Sequence, residues 1–345
     1  MIRVGVVGAT GYAGAELVRL LGGHPEVDVT ILASRQYAGV LFSDIYPAFT
    51  GVVGLACEAY SIDAVSDNAD IVFTALPHKL PMEIVPGLVA NGKKVIDLSA
   101  DFRFSNAAAY EAAYTAHTAK ALLERSAYGL SEVFTDRIRS ADIIGNPGCY
   151  PTSVLLPLAP LLQAGMLVPE TIIADSKSGV SGAGRGLSVT SLYSEVGESF
   201  KAYKVAAHRH EPEMEEVLSA LAGVDVNITF VPHLLPMHRG METTLYAGLS
   251  RDVADKDIYE CLAGYYAGRR FIRISETGRP PDTRNVRGTN YCDIGFVIDR
   301  DHRRLILMSV IDNLVKGAAG QAVQNMNIML GLAESTGLDM VPFPV

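Results

Sequence analysis

The hydrophobic residues of this chain fall into two textures. Over the first 148 residues, short runs that are apolar throughout alternate with segments of helical spacing. Ile2–Val7 predicts a strand and residues 15–21 a helix. Val27–Ala33 and residues 71–76, 94–98 and 142–145 predict further strands, with a helix over residues 82–91. Strands that are continuously apolar are buried on both faces, and intervening helices supply the crossovers between parallel neighbours. The expected fold is α/β, a Rossmann-type doubly wound parallel sheet. From about Thr171 the pattern changes. Residues 172–175, 227–231, 243–249, 271–275, 293–298 and 305–311 are strand-like, and Asp299-Arg300-Asp301-His302 reads as a hairpin turn joining the last two. Helices near residues 211–221 and 255–266 punctuate them, which predicts a second, α+β domain. Residues 107–121, rich in Ala and Tyr, read as a surface helix or loop. Residues 153–162 read as a helix that Pro157 and Pro160 kink or cut short. The last helix, over residues 314–332, is rich in Gly and Ala, which permits close packing against the first domain. The division expected is residues 1–148 with 313–345, and residues 149–312.

Composition narrows the function. A chain of 345 residues suits two domains. Acidic residues outnumber basic ones 38 to 29, which argues against a broad phosphate-backbone footprint and so against nucleic acid as a partner. No run approaches the roughly 18 apolar residues of a membrane span. Met1-Ile2-Arg3-Val4 enters the first strand with no basic, apolar leader, so a cytoplasmic location is expected. The cysteines at 57, 149, 261 and 292 lie far apart and form no CxxC pair, which suggests reduced thiols. Cys57, Cys261 and Cys292 read as small buried hydrophobes.

Between the first strand and its helix lies Gly8-Ala9-Thr10-Gly11-Tyr12-Ala13-Gly14. Glycines at that junction let a pyrophosphate approach the backbone N–H groups of a helix N-terminus. Gly8, Thr10, Gly11, Tyr12 and Ala13 are therefore the candidate cofactor contacts. The second strand ends at Ala33-Ser34-Arg35-Gln36, where an NAD-selective fold carries an acidic residue for the ribose 2′-hydroxyl. Ser34 and Arg35 instead offer a hydroxyl and a guanidinium suited to a 2′-phosphate, so NADP is the expected cofactor. Ligands of such sheets sit beyond the carboxyl ends of the strands, which places Pro77, His78 and Ser99 on the cofactor side.

Asn146-Pro147-Gly148-Cys149 follows another strand and precedes an apolar helix. A thiol at a helix N-terminus feels the positive end of the macrodipole, which favours the nucleophilic thiolate. Cys149 is the candidate nucleophile. A thiolate beside a nicotinamide implies acyl chemistry. Arg103 and Lys177 are candidate cations for a substrate phosphate or carboxylate. His208 and His210 lack a third ligand of convincing spacing, so no metal is assigned.

Asn146-Pro147-Gly148-Cys149-Tyr150-Pro151-Thr152, together with the glycine turn and Asp175-Ser176-Lys177-Ser178-Gly179-Val180-Ser181-Gly182-Ala183-Gly184-Arg185, resembles the N-acetyl-γ-glutamyl-phosphate reductase family. His208-Arg209-His210-Glu211-Pro212-Glu213 and the tail over residues 313–327 fit the same family, so the resemblance runs along essentially the whole chain. It implies NADPH-dependent reduction of N-acetyl-L-glutamyl 5-phosphate to N-acetyl-L-glutamate 5-semialdehyde in arginine biosynthesis. Phosphate is released through a Cys149 thioester. It implies an acid/base role for His208, with His210 as its competitor and Glu213 orienting the ring. Ser181, Gly182 and Asn313 become cofactor contacts, and Asn146 and His210 substrate contacts. The first domain becomes the NADP-binding one, and the second the catalytic and oligomerisation domain of a homo-oligomer, dimer or tetramer. Aspartate-semialdehyde dehydrogenase shares the thioester logic but lacks Pro-Gly-Cys-Tyr-Pro. A reductase of a longer aminoadipyl phosphate differs by one methylene, worth only about 1–3 kcal/mol of discrimination, and stays open at this point. A non-catalytic NADP sensor needs neither Cys149 nor His208, and a thiol-ester hydrolase needs no glycine turn.

Overall fold

A computed structural model of the chain describes residues 1–343. Two compact units form, one of Met1–Gly148 with Ala318–Asp339, the other of Cys149–Gly317 with the chain from Met340 onward.

The first unit is built on strands β1 (Ile2–Val7), β2 (Val27–Ala33), β3 (Cys57–Glu58), β4 (Ile71–Thr74), β5 (Lys94–Asp97), β6 (Ser126–Tyr128) and β7 (Ile143–Gly145). They pair in the order β3-β2-β1-β4-β5-β7-β6, all parallel. The chain winds outward from β1 in one direction and from β4 in the other, so the switch point lies between these two strands. Central β4 is buried at every residue, as expected of a strand covered on both faces. The glycine turn follows β1 at that switch point, where such sheets receive their ligands. Its helix, Tyr12–Leu21, begins three residues earlier than the apolar spacing suggested, because Gly11 is its N-cap. β3, β6 and the helix Ile62–Asn68 escape the sequence pattern, being short or polar.

Residues 107–121 are not simply a surface element. The helix Ala107–Ala113 buries Tyr110 completely, and its hydroxyl donates to Asp101 Oδ1 at 2.8 Å. In the tail, a π-helical turn (Val315–Ala319) leads into the helix Gly320–Met329, which is buried along its entire length. Polar side chains of the first unit hold that helix, Asn146, Ser131, His24 and Glu132 among them. Asn325 Nδ2 donates to Gly129 O and Asn146 Oδ1, Ser131 Oγ donates to Asn325 Oδ1, and Asn327 Oδ1 lies 2.9 Å from His24 Nε2.

The second unit contains β8 (Ile172–Gly179), β9 (Lys201–Ala202), β10 (Ile228–Leu235), β11 (Met241–Gly248), β12 (Ile272–Ile274), β13 (Cys292–Asp299) and β14 (Arg304–Ile311). Their order is β12-β13-β14-β11-β8-β10-β9 in a mixed sheet, with β8 and β10 parallel neighbours. The helix Cys149–Gln163 packs on this sheet and runs for 15 residues, straight through Pro157 and Pro160. The expected interruption does not occur. A mid-helix proline strands the carbonyl four residues before it and costs about 3 kcal/mol. Here Leu156 O, which Pro160 cannot reach, accepts the Tyr266 hydroxyl at 2.6 Å, and every residue from Tyr150 to Leu162 is buried. Among the described residues, no helix is long and apolar enough to cross a membrane.

Candidate active site

At the glycine turn, the absence of side chains sets the geometry. Gly8 has φ +91°, and a Cβ there would lie 2.3 Å from Ala75 O. A Cβ at Gly14 would lie 2.2 Å from Gly8 O. Gly11 is different, since its Cβ would meet nothing closer than Gly8 O at 3.7 Å. As N-cap it offers no side chain to the first N–H groups of Tyr12–Leu21, which stay available to an anion. Thr10 Oγ1 lies 2.9 Å from Ser34 Oγ, tying the turn to the end of β2, and Arg35 beside it is exposed. The cradle, the helix terminus and the Ser34–Arg35 pair fit a dinucleotide bearing a 2′-phosphate.

The loops after β4 and β5 lock onto one another. His78 Nδ1 accepts the Ala100 N–H at 3.1 Å, and Ser99 Oγ donates to Asp97 Oδ2 at 2.5 Å. The Asp97 carboxyl is pushed up to about 7, by burial first and then by neighbouring Asp101, against hydrogen bonds from Ser99 and Thr74. Arg103 is 7% exposed, and its guanidinium donates to Asn146 O at 2.7 Å and Leu98 O at 2.8 Å. Asn146 is buried as well, donating to Ala318 O and accepting from Asn325. These two expected substrate contacts are engaged in bracing the turn that leads into Cys149.

In the second unit, Cys149 is the first residue of its helix and half-buried. It opens on a cavity of about 350 Å³ that Tyr150, Ser178, Tyr203, His208 and His210 also line. His208 sits edge-on among Tyr150, Tyr203, Phe230 and His210, with ring centroids 5.5, 5.6, 5.4 and 4.8 Å away. Its Nδ1 accepts the His210 backbone N–H at 3.1 Å, so the neutral ring carries its proton on Nε2. Burial, then Arg209 and Lys204, pushes the imidazole down to about 4. Glu213 is buried in the first turn of the helix Glu211–Ala222 but does not line the cavity. At Nδ1 the ring is oriented by the His210 backbone N–H.

Lys177 corrects another expectation. Along β8 the side chains alternate, so Ser176 and Ser178 are buried on the inner face while Asp175 and Lys177 occupy the outer one. There Lys177 Nζ pairs with Asp175 and Glu242, each at 3.3 Å, and donates to Thr244 Oγ1. The cations that do line the cavity are Lys201, Lys204 and Arg209. The sequence reading missed them, along with Tyr203. The nearest signal was the recurrence of cations in the ten residues leading to His210. Gly182 lines the same cavity. Asn313 donates to Ser181 Oγ and accepts the Gly240 N–H, each at 2.9 Å, which fixes the loop carrying Ser181 and Gly182.

Comparison with known proteins finds two family domains along the chain. Residues 3–141 match a family model described as the semialdehyde dehydrogenase NAD binding domain, and residues 149–313 match the semialdehyde dehydrogenase dimerisation domain. The chain is 55% identical to an N-acetyl-gamma-glutamyl-phosphate reductase of Desulforapulum autotrophicum over 99% of each chain. It is 53% identical to that of Desulfotalea psychrophila over the full length of both. Among solved structures, aspartate semialdehyde dehydrogenase II of Vibrio cholerae shares the fold with a TM-score of 0.74, covering 96% of this chain and 98% of that one at 18% identity. The Candida albicans aspartate semialdehyde dehydrogenase with NADP gives 0.72 at 17% identity, covering 96% and 98%. Full-length identity above one half, with both semialdehyde dehydrogenase domains matched in order, places this chain in the N-acetyl-gamma-glutamyl-phosphate reductase family.

Proposed function

We propose that this chain reduces N-acetyl-L-glutamyl 5-phosphate to N-acetyl-L-glutamate 5-semialdehyde, with NADPH as reductant and release of phosphate. The observation that carries the reading is Cys149, at the start of a 15-residue helix and opening on a cavity lined by His208 and three cations. The helix N-terminus favours the thiolate. That sulfur attacks the acyl carbon, the C–O bond to phosphate breaks, and phosphate leaves with the bonding pair. The product is a thioester on Cys149. NADPH supplies the hydride that reduces the thioester carbonyl. His208, with its proton on Nε2, donates to the oxygen where negative charge develops, and His210 is the competing group for the thiol proton. Collapse of the C–S bond then frees the aldehyde and regenerates the thiolate.

Lys201, Lys204 and Arg209 serve the substrate's phosphate and carboxylate in place of Arg103 and Lys177. Gly8, Thr10, Gly11, Tyr12, Ala13, Ser34 and Arg35 hold the adenosine and pyrophosphate side of NADP. Pro77, His78, Ser181 and Gly182 belong to its nicotinamide side, with Ser99 and Asn313 bracing the loops. The first unit is thus the NADP-binding domain and the second the catalytic and oligomerisation domain of a cytoplasmic homo-oligomer, dimer or tetramer. The match of residues 149–313 to a dimerisation domain supports that assembly.

The test is phosphate-dependent NADP reduction with N-acetylglutamate 5-semialdehyde, run on wild type and Cys149→Ala. Turnover is expected to fall at least about 1,000-fold while NADPH binding is unchanged. An alanine variant with near-normal turnover overturns the covalent route.

A further inference from the structure

Two phenol hydroxyls meet beside Cys149, and counting their protons fixes what the cavity can recognise. Tyr150 Oη lies 3.2 Å from His233 O and 3.1 Å from Tyr203 Oη. A carbonyl only accepts, so with the single Tyr150 proton on His233 O, Tyr150 has none left for Tyr203, and Ser178 also hydrogen-bonds to this hydroxyl. The contact between the two phenols is then made by the Tyr203 proton. Tyr150 is 3% exposed and wedged against Phe230 and His208, which holds its ring and hydroxyl oxygen in place. Tyr203 is left with lone pairs only toward the cavity that it lines. Around that acceptor stand committed donors, namely Lys201, Lys204, Arg209 and His208 Nε2.

We propose that Tyr203 Oη accepts the amide N–H of the substrate's acylated α-nitrogen, and so selects N-acyl over free amino substrates. This rests on the function proposed above. An N-acyl amino-acid phosphate carries two anionic ends, which the cations satisfy, and one N–H donor. When that N–H is desolvated it needs an acceptor or binding weakens. A free α-ammonium would also donate, but as a cation it would face Lys201, Lys204 and Arg209. Acylation removes the charge and keeps the N–H. The acceptor and the cations together therefore favour a neutral amide.

The experiment measures phosphate-dependent oxidation by the full chain with NADP. Its two aldehydes are N-acetylglutamate 5-semialdehyde and 5-oxopentanoate, which has the same carbon chain without the acylamino group. In Tyr203→Phe, kcat/KM for the N-acetyl aldehyde is expected to fall at least about tenfold, the worth of roughly 1.4 kcal/mol. The value for 5-oxopentanoate should fall less, so that the ratio of the two values drops about tenfold, since the hydrogen bond to the amide is what only the N-acetyl aldehyde can lose. Tyr150→Phe provides a second variant. It frees the Tyr203 proton to turn toward the cavity, and the preference for the N-acetyl aldehyde over 5-oxopentanoate should drop there too. Equal losses for both aldehydes in both variants, or no loss in either, would overturn the assignment. Wild type that fails on N-acetylglutamate 5-semialdehyde altogether would instead strike at the proposed function.

Discussion

The glycine turn of the first unit and the cysteine cavity of the second both use the positive end of a helix, in opposite ways. At the turn, the helix Tyr12–Leu21 presents N–H groups that no side-chain cap occupies, because its N-cap is Gly11. An anion arriving there meets an array of donors already in place. At Cys149 the helix terminus acts on a group that belongs to the protein, biasing a thiol that never leaves. Its surroundings are crowded rather than emptied. Side chains from residue 149 to residue 234 converge on the cavity, and four rings enclose His208. One site is made by close backbone approach around a short glycine turn, the other by the packing of side chains. The two should therefore fail differently.

The largest effect is expected at Gly14. A methyl there would lie 2.2 Å from Gly8 O and 2.8 Å from Ala9 Cα, both backbone atoms that cannot step aside. Gly14→Ala should lower stability by about 3 kcal/mol or more and weaken NADPH binding at least about 100-fold. Gly11→Ala is the control, with open space at its Cβ and an expected stability cost of about 1 kcal/mol or less. Thermal unfolding and NADPH fluorescence titration separate the two. Equal behaviour of the variants would mean that the turn is not held by close backbone approach.

Cys149 has its own version of this constraint. A Cβ at Gly317, in the π-helical turn, would lie 2.8 Å from Cys149 Cβ and 3.2 Å from its Cα. A π turn inside a helical segment recurs at functional sites, and here it lets the backbone back directly onto the nucleophile. Gly317→Ala should displace the thiol and lower kcat about 10- to 100-fold, the scale of a misplacement near 1 Å. NADPH affinity should be unchanged, and the rate of thiol alkylation should shift. A variant with normal kcat would show that the cysteine helix tolerates the displacement.

That contrast also governs what could be read from the sequence. The first sheet and the glycine turn were legible because their signals are local, a buried strand followed by a fixed glycine spacing. Cys149 was legible for the same reason, as a Gly-Cys step entering a helix. The cavity's cations were not. Lys201, Lys204 and Arg209 sit where no period runs, while Lys177 drew attention by its place in a Ser-Gly-rich loop that proved to be the end of β8. Strand alternation, with Ser176 and Ser178 inward, was the clue that Lys177 points away. Arg103 and Asn146 stood at strand ends as ligands would, yet a buried guanidinium and a buried amide need hydrogen-bond partners, and backbone carbonyls were nearest. The prolines at 157 and 160 misled because the rescuing hydroxyl, on Tyr266, lies over one hundred residues away in sequence.

The smallest expected effect concerns the crowding around His208. Burial, Arg209 and Lys204 hold its imidazole down to about 4, against 6.5 when unperturbed, and the His210 N–H occupies the nitrogen a second proton would need. Above pH 6.5 the ring is neutral both folded and unfolded, and no stability difference arises from it. Between 6.5 and 4 the unfolded chain takes up a proton that the folded one refuses, so stability falls as pH falls. Below 4 both forms are protonated and the loss levels off. The shift sets a ceiling of about 3 kcal/mol, which solvent in the adjoining cavity reduces to about 1–2 kcal/mol. His208→Gln keeps a donor without a titrating group. Urea unfolding at pH 7.5 and pH 5 should therefore show wild type losing about 1 kcal/mol more than the variant. Equal losses would mean that His208 protonates in place, and that it works as an ordinary base rather than as the Nε2–H donor that its packing implies.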